Sequence, residues 1–273
     1  LTAKPATLSL EQSCTLPVTW STTHSAIERA GLRAGRLAFV QAAAGGVGLK
    51  ALQYAHWLGA PPMGTAGRPH KHAQLQALGM KALCSSRDGA AFAVGALRLM
   101  DAGRLHMVYN SLSLDFIGAS FALLSEGGAF EEIGKRAIWS LNRHLASASA
   151  TTYCAIAYDA DIALDPAWMH KVLVLLAARA EAEALTSLPL DSFDLEAQYE
   201  VAFRKLQGGL NTGKIVIRIK ARDMGCDGDH VVTGGTGGLG LLTGRWLAQH
   251  GARHVILASR SGTLAKHTDA EWD

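Results

Sequence analysis

An α/β fold built on a Rossmann-type, doubly wound parallel sheet is predicted by three features of this sequence. Short apolar segments alternate with helix-length segments from residue 37 onward. A glycine-rich turn, AAAGGVG, joins the first apolar segment to the first of those helices. A second turn, TGGTGGLG, opens the same pattern afresh after His230. Strand-helix alternation at this spacing implies a parallel sheet covered on both faces. Two different glycine turns imply two dinucleotide folds, the second only begun.

Taken in order, residues 37–41, 63–66, 106–110 and 128–133 read as strands, and residues 47–58, 71–78, 90–100 and 116–124 as the helices between and beside them. A further strand ends at Ser86-Arg87, and another extended stretch precedes Asp159. Pro166 introduces a long helix, AWMHKVLVLLAARAEAEAL, with its charge at the far end. LTSLPLDSFDL and TGKIVIRIK are extended pieces flanking a helix at 195–206. The polar stretch KARDMGCDGD marks a boundary. Residues 1–220 are therefore expected to form one domain, 221–229 a linker, and 230–273 the start of a second. That start is too short to bury a core of its own.

Composition removes several classes. A formal charge of +3 with no dense basic cluster excludes nucleic acid as the expected partner. Cys14, Cys84, Cys154 and Cys226 lie far apart with no CxxC or Cys/His spacing, so no metal site and no disulfide framework is expected. A reducing, cytoplasmic setting follows. No apolar run is long enough for a membrane span. The chain starts at Leu1 and stops at Asp273 in mid-element, which reads as a piece of something larger.

In the first turn, Ala43, Gly45 and Gly48 fill a GxGxxG pattern with alanine in the leading place. Gly45 would let the backbone approach a pyrophosphate, and Gly48 would let the helix pack on the strand. The amides of Ala44, Gly45, Gly46, Val47 and Gly48 are the candidate anion cradle. A plain tight turn also explains the glycines. The second turn has the spacing TGxxxGxG, with Thr233, Gly234, Gly235, Gly238, Leu239 and Gly240 as candidate cofactor contacts. An NAD site places a carboxylate about twenty residues beyond such a turn. Here those positions hold Arg68, with Lys71 beside it, and Arg260, next to Ser259. A cation suits a 2′-phosphate, so both sites are expected to take NADPH, although solvated surface charges would look the same.

Four stretches carry a family resemblance: TLPVTWSTTHSAI, AAAGGVG, YNSLSLDFIGASFALLSEGGAFEEIGKR and YEVAFRKLQGGLNTGKIVI. Through them residues 14–219 resemble the enoylreductase domain of modular polyketide synthases and animal-type fatty acid synthases, a zinc-free branch of the medium-chain dehydrogenase/reductases. HVVTGGTGGLG…HVILASRSG resembles the opening of a ketoreductase, a short-chain dehydrogenase/reductase. The resemblance implies a substrate-binding barrel before Leu1, of which residues 1–220 hold remnants, and ketoreductase catalytic residues after Asp273. It implies reduction of an enoyl thioester on an acyl carrier protein, other synthase domains as partners, and a homodimeric parent. The isolated 273 residues are expected to be inactive. The chain departs from the family's pattern at His24-Ser25, where paired tyrosines are common, and at Ala137, where an acidic residue is common.

By the same resemblance, Asn110, Ser111 and Leu112 face the nicotinamide end, and Ser86-Arg87 the adenosine side. Lys135 and Asp159 form the proton-donor pair, with Asp161 as an alternative register. Turn chemistry would account for Asn110 and Ser111 as well, and a phosphate ligand or helix cap for Lys135 and Asp159. His70 and His72 read as solvated, and Trp57, Trp139, Trp168 and Trp246 as packing residues. Two other readings remain: a stand-alone NADPH-dependent quinone or enone reductase, and a non-catalytic dinucleotide-binding scaffold within a synthase.

Overall fold

The computed structural model describes residues 2–101, 103–219 and 228–264. The chain divides into two compact units, Leu1–Arg218 and Ile219–Asp273.

The first unit begins with helices α1 (Leu10–Cys14) and α2 (Leu16–Arg29). Ser9 caps α1 by accepting from the amide of Gln12, while the Gln12 side chain answers to the amide of Ser9. The sheet then builds through β1 (Ala38–Val40), α3 (Gly46–Trp57), β2 (Pro62–Ala66), α4 (Pro69–Ala77), β3 (Leu83–Ser85) and α5 (Gly89–Met100). It continues with β4 (Leu105–Asn110), α6 (Asp115–Leu123), β5 (Leu124–Glu132), α7 (Leu141–Ala148) and β6 (Thr152–Ala155). All six strands are parallel, in the order β3-β2-β1-β4-β5-β6. This is the doubly wound arrangement that places a ligand beyond the carboxyl ends of the strands, where the order reverses between β1 and β4.

Alternate strand residues feed two cores. Val40, Met107 and Tyr109 pack with Leu16, Trp20 and Tyr54 on one face. Phe39, Val108 and Phe130 pack with Phe92, Ile117 and Phe121 on the other. The expected central strands and helices are present with ends shifted by a few residues, as frayed ends generally are.

Beyond the sheet come α8 (Tyr158–Leu164) and α9 (Pro166–Glu181), then β7 (Leu190–Asp194), α10 (Leu195–Gln207) and β8 (Lys214–Arg218). Strands β7 and β8 pair in parallel as a separate two-stranded sheet. In the second unit, β9 (Asp229–Thr233) and β10 (His254–Ala258) pair in parallel across α11 (Gly238–Gln249). The expected linker, 221–229, lies outside the described residues as far as residue 227. Among the described residues no helix is long and apolar enough to cross a membrane.

Candidate functional site

At the top of β1 the chain reverses through Ala42, which adopts a left-handed φ of 50°. The turn hangs on Thr65 of β2: its carbonyl accepts from the Ala43 amide at 2.8 Å, and its hydroxyl from the Ala42 amide at 3.0 Å. Gly45 caps α3 in an extended conformation without any side-chain bond to the first-turn amides, so those donors face outward. A Cβ on Gly48 would stand 2.7 Å from the carbonyl oxygens of Ala42 and Ala43, which explains glycine there. Ala44, Gly46 and Val47 complete the cradle.

Two residues that the sequence did not single out finish it. The Gly213 amide donates to the Ala44 carbonyl at 3.1 Å, bridging the turn to the start of β8. The stem of Lys214 lies across Gly46, with Cε 2.9 Å from where a Cβ would be. An ammonium beside uncapped helix amides makes an anion site.

Arg68, Lys71 and Arg87 converge at the ends of β2 and β3. Arg68 precedes α4, with one guanidinium nitrogen donating to the Gly208 carbonyl at 2.8 Å and its Nε buried without a partner. Arg87 Nε donates to the Gly67 carbonyl at 3.2 Å. Burial, then the like charges of Arg68 and Arg87, hold the Lys71 ammonium below its usual range. The neighbouring Asp88 is occupied in capping α5 at the Ala91 amide. Among the described residues no carboxylate forms an ion pair with any of the three. The three cations, unpaired with any carboxylate among the described residues, leave positive charge whose mutual repulsion an anion would relieve.

At the exit of β4, Asn110 is fully buried. Its amide donates to the Leu112 carbonyl and to Glu132 Oε2, both at 2.7 Å, and its oxygen accepts from the Leu112 amide at 3.3 Å. The Asn110 side chain is thus spent on shaping its own loop. Ser111 Oγ donates weakly to the Gln41 carbonyl at 3.4 Å. Lys135 is exposed, and its ammonium donates to the Ile156 carbonyl at 2.7 Å. Asp159 lies in the first turn of α8, exposed. Among the described residues Lys135 makes no ion pair, so the structure does not join the expected donor pair. Ala137 takes a left-handed φ of 49°.

Strand β5 ends in two buried carboxyls, Glu131 and Glu132. Burial pushes Glu131 up to about 7, while Arg29, 3.4 Å away, pulls it down. Burial also raises Glu132, against bonds from Asn110 and the Gly134 amide and the charge of Lys135.

The structure also places the other residues that the sequence singled out, and it changes the readings of His72, Trp57 and Trp246. His24 is buried, stacked on Trp20 at 4.8 Å and bonded to Tyr54 at 3.0 Å, while Ser25 meets Tyr158 at 3.2 Å. Both serve packing between helices. His72 is not solvated: its Nε2 bonds the Ala66 carbonyl at 2.7 Å, because α4 folds back on the end of β2. Trp57 and Trp246 are 58% and 47% exposed, so their packing is one-sided: Trp57 carries the Arg179 guanidinium and Trp246 stacks on His250.

In the second unit, Thr233 ends β9 and Gly234 turns the chain at φ 68°. A Cβ on Gly235 would meet the Val232 carbonyl at 2.6 Å, and one on Gly240 would stand 2.5 Å from Gly235 Cα. Gly238 and Leu239 begin α11, with Leu239 outermost. Thr233, Gly234, Ser259 and Arg260 line one open cleft. Among the described residues no group of metal-ligating side chains occurs.

Comparison with known proteins adds the following. Residues 228–272 match the family model of the KR domain. The chain is 37% identical to the spectinabilin polyketide synthase system protein NorB of Streptomyces orinoci over 96% of its own length. It is 35% identical over 93% to the erythronolide synthase EryA2 of Saccharopolyspora erythraea. It spans 12% of the length of the first and 7% of the second. Among solved structures, the CurK enoyl reductase matches with a TM-score of 0.74 and 30% identity, covering 80% of this chain and 65% of that one. A quinone oxidoreductase of Pseudomonas syringae shares the fold at 22% identity and a TM-score of 0.69.

Proposed function

Because this chain is an enoylreductase segment of the polyketide synthase type followed by the start of a ketoreductase domain, we propose that it carries the NADPH-binding half of an enoylreductase. The parent enzyme would reduce the α,β-double bond of an enoyl thioester held on an acyl carrier protein, in the cytoplasm, within a homodimeric synthase. We place the enoylreductase in residues 1–220, the linker in 221–229 and the ketoreductase start in 230–273. Both folds imply a nicotinamide dinucleotide. The observation that carries the choice of NADPH is the convergence of Arg68, Lys71 and Arg87 without a partner carboxylate.

When bound, the nicotinamide supplies a hydride to the β-carbon of the substrate. The chain's own residues would do the rest. The amides of Ala44 to Gly48 and the Lys214 ammonium would hold the pyrophosphate, and the three cations the 2′-phosphate. The loop of Asn110, Ser111 and Leu112 would fix the ring end. Addition of hydride leaves an enolate, and Lys135 would protonate its α-carbon. One Lys135 proton is engaged on Ile156, which leaves two available. Asp159 would support the positive end of α8 rather than pair with Lys135. In the second unit Thr233, Gly234, Gly235, Gly238, Leu239 and Gly240 would cradle a second pyrophosphate, with Ser259 and Arg260 toward the ribose.

Calorimetric titration of the chain tests this reading. Charge-assisted bonds of about 1.5–3 kcal/mol each predict binding of NADPH at least roughly tenfold tighter than NADH. Equal affinities would refute the assignment.

A further inference from the structure

Three strand exits at the carboxyl edge of the sheet meet on one residue, two of them on its side chain. Glu132 Oε2 accepts from the Asn110 amide at 2.7 Å, reaching the loop after β4. Glu132 Oε1 accepts from the Gly134 amide at 2.6 Å, reaching the loop that carries Lys135. The Glu132 carbonyl accepts from the Ile156 amide at 2.8 Å, just past β6. The Ile133 amide adds a bond to the Asn110 carbonyl at 2.9 Å, and Lys135 closes onto the Ile156 carbonyl. Glu132 is 1% exposed. A Cβ on Gly134 would stand 2.6 Å from Glu132 Oε1, so the loop is fitted closely to this carboxyl.

We propose that Glu132 is a positioning residue whose ionised carboxylate holds the Asn110–Leu112 loop and the Gly134–Lys135 loop in the arrangement that the nicotinamide end of the cofactor requires. The proposal rests on the enoylreductase reading above. The ionised carboxylate accepts one N–H donor on each oxygen. Amidation replaces one oxygen with an NH2 that opposes a donor, and protonation weakens one acceptor and adds a proton that must find its own partner. Burial raises the Glu132 pKa, so the fastening is released by acid earlier than an exposed glutamate would allow. The charged or titratable groups coupled to it are Lys135, on its own loop, and Tyr153 of β6.

The test uses the 273-residue chain and amide hydrogen exchange of residues 110–112 and 133–136 across a pH series. Calorimetric affinity for NADPH is measured alongside. In the wild type, exchange in both loops, corrected for its intrinsic pH dependence, should rise together as pH falls. Glu132→Gln should show the raised exchange at every pH, with NADPH binding weakened about tenfold. Asn110→Ala keeps the bond to Gly134, so it should loosen residues 110–112 alone. That asymmetry separates a shared tie from general destabilisation, and it remains readable if Glu132→Gln folds poorly. Unchanged exchange in Glu132→Gln, or both loops loosening equally in Asn110→Ala, overturns the proposal. Unchanged NADPH affinity with loosened loops overturns the positioning role. A wild type with pH-linked loops but no affinity for NADPH overturns the cofactor reading, and the positioning role with it.

Discussion

Replacing Glu131 by Gln should alter how the stability of the first unit depends on pH. The carboxyl is 1% exposed and meets the half-exposed Arg29 across 3.4 Å, with Tyr109 and Cys154 also beside it. Its folded-state value lies at about 7. A carboxyl raised on folding binds its proton more tightly in the folded state. Its contribution is therefore whole below the unfolded value and is lost as pH climbs through the window up to about 7. That displacement corresponds to about 3 kcal/mol. Glu132 acts in the same direction, while His24 and His106, both lowered by burial, act oppositely below the ordinary histidine value. Comparing variant with wild type at each pH cancels these shared contributions. Urea unfolding followed by far-ultraviolet circular dichroism should show Glu131→Gln gaining about 3 kcal/mol on the wild type between about pH 4 and about pH 8. A variant that instead loses ground as pH rises would show that the Arg29 pair outweighs desolvation of the carboxylate, and the reasoning would fall.

Three further outcomes are expected. Lys71→Ala should cut the preference for NADPH over NADH by roughly tenfold while leaving NADH binding alone, as read by paired titrations. In the full-length synthase, Lys135→Ala should lower kcat by about 10²-fold or more with less effect on the KM for NADPH; the reverse pattern would make Lys135 a cofactor ligand. Gly48→Ala puts a methyl group 2.7 Å from two carbonyl oxygens. It should cost about 1–3 kcal/mol in unfolding experiments and weaken NADPH binding with it.

What could be read from the sequence was what local geometry dictates. Gly48 and Gly240 had to be glycine because strand and helix touch within a few residues of each other, and that spacing is visible in the chain. The cationic site was half legible: Arg68 and Lys71 stand at a fixed offset from the turn, while their convergence with Arg87 depends on β2 and β3 lying side by side. Lys214 and Gly213 could not be found, since nothing in TGKIVIRIK announces a bridge to Ala44. Glu132 was hidden for the same reason, its partners coming from separate loops. The short strands β3 and β6 show no period of their own, and only their positions before Ser86-Arg87 and before Asp159 could be read. Asp159 was assigned by the family resemblance, and the structure sets it in the first turn of α8, soon after β6, on an exposed face.

The bridge between Ala44 and Gly213 also bears on how such synthases can be recombined. The six-stranded sheet is complete at Ala155, and a crossover beyond that point would keep every strand of it from one parent. Yet the glycine turn is finished by Gly213 and Lys214. Any junction between Ala155 and Gly213 would pair one parent's turn with the other's covering lysine. Hybrids cut there inherit an untested seam at the turn proposed to hold the pyrophosphate, so the heritable unit would run through β8 rather than end with the sheet.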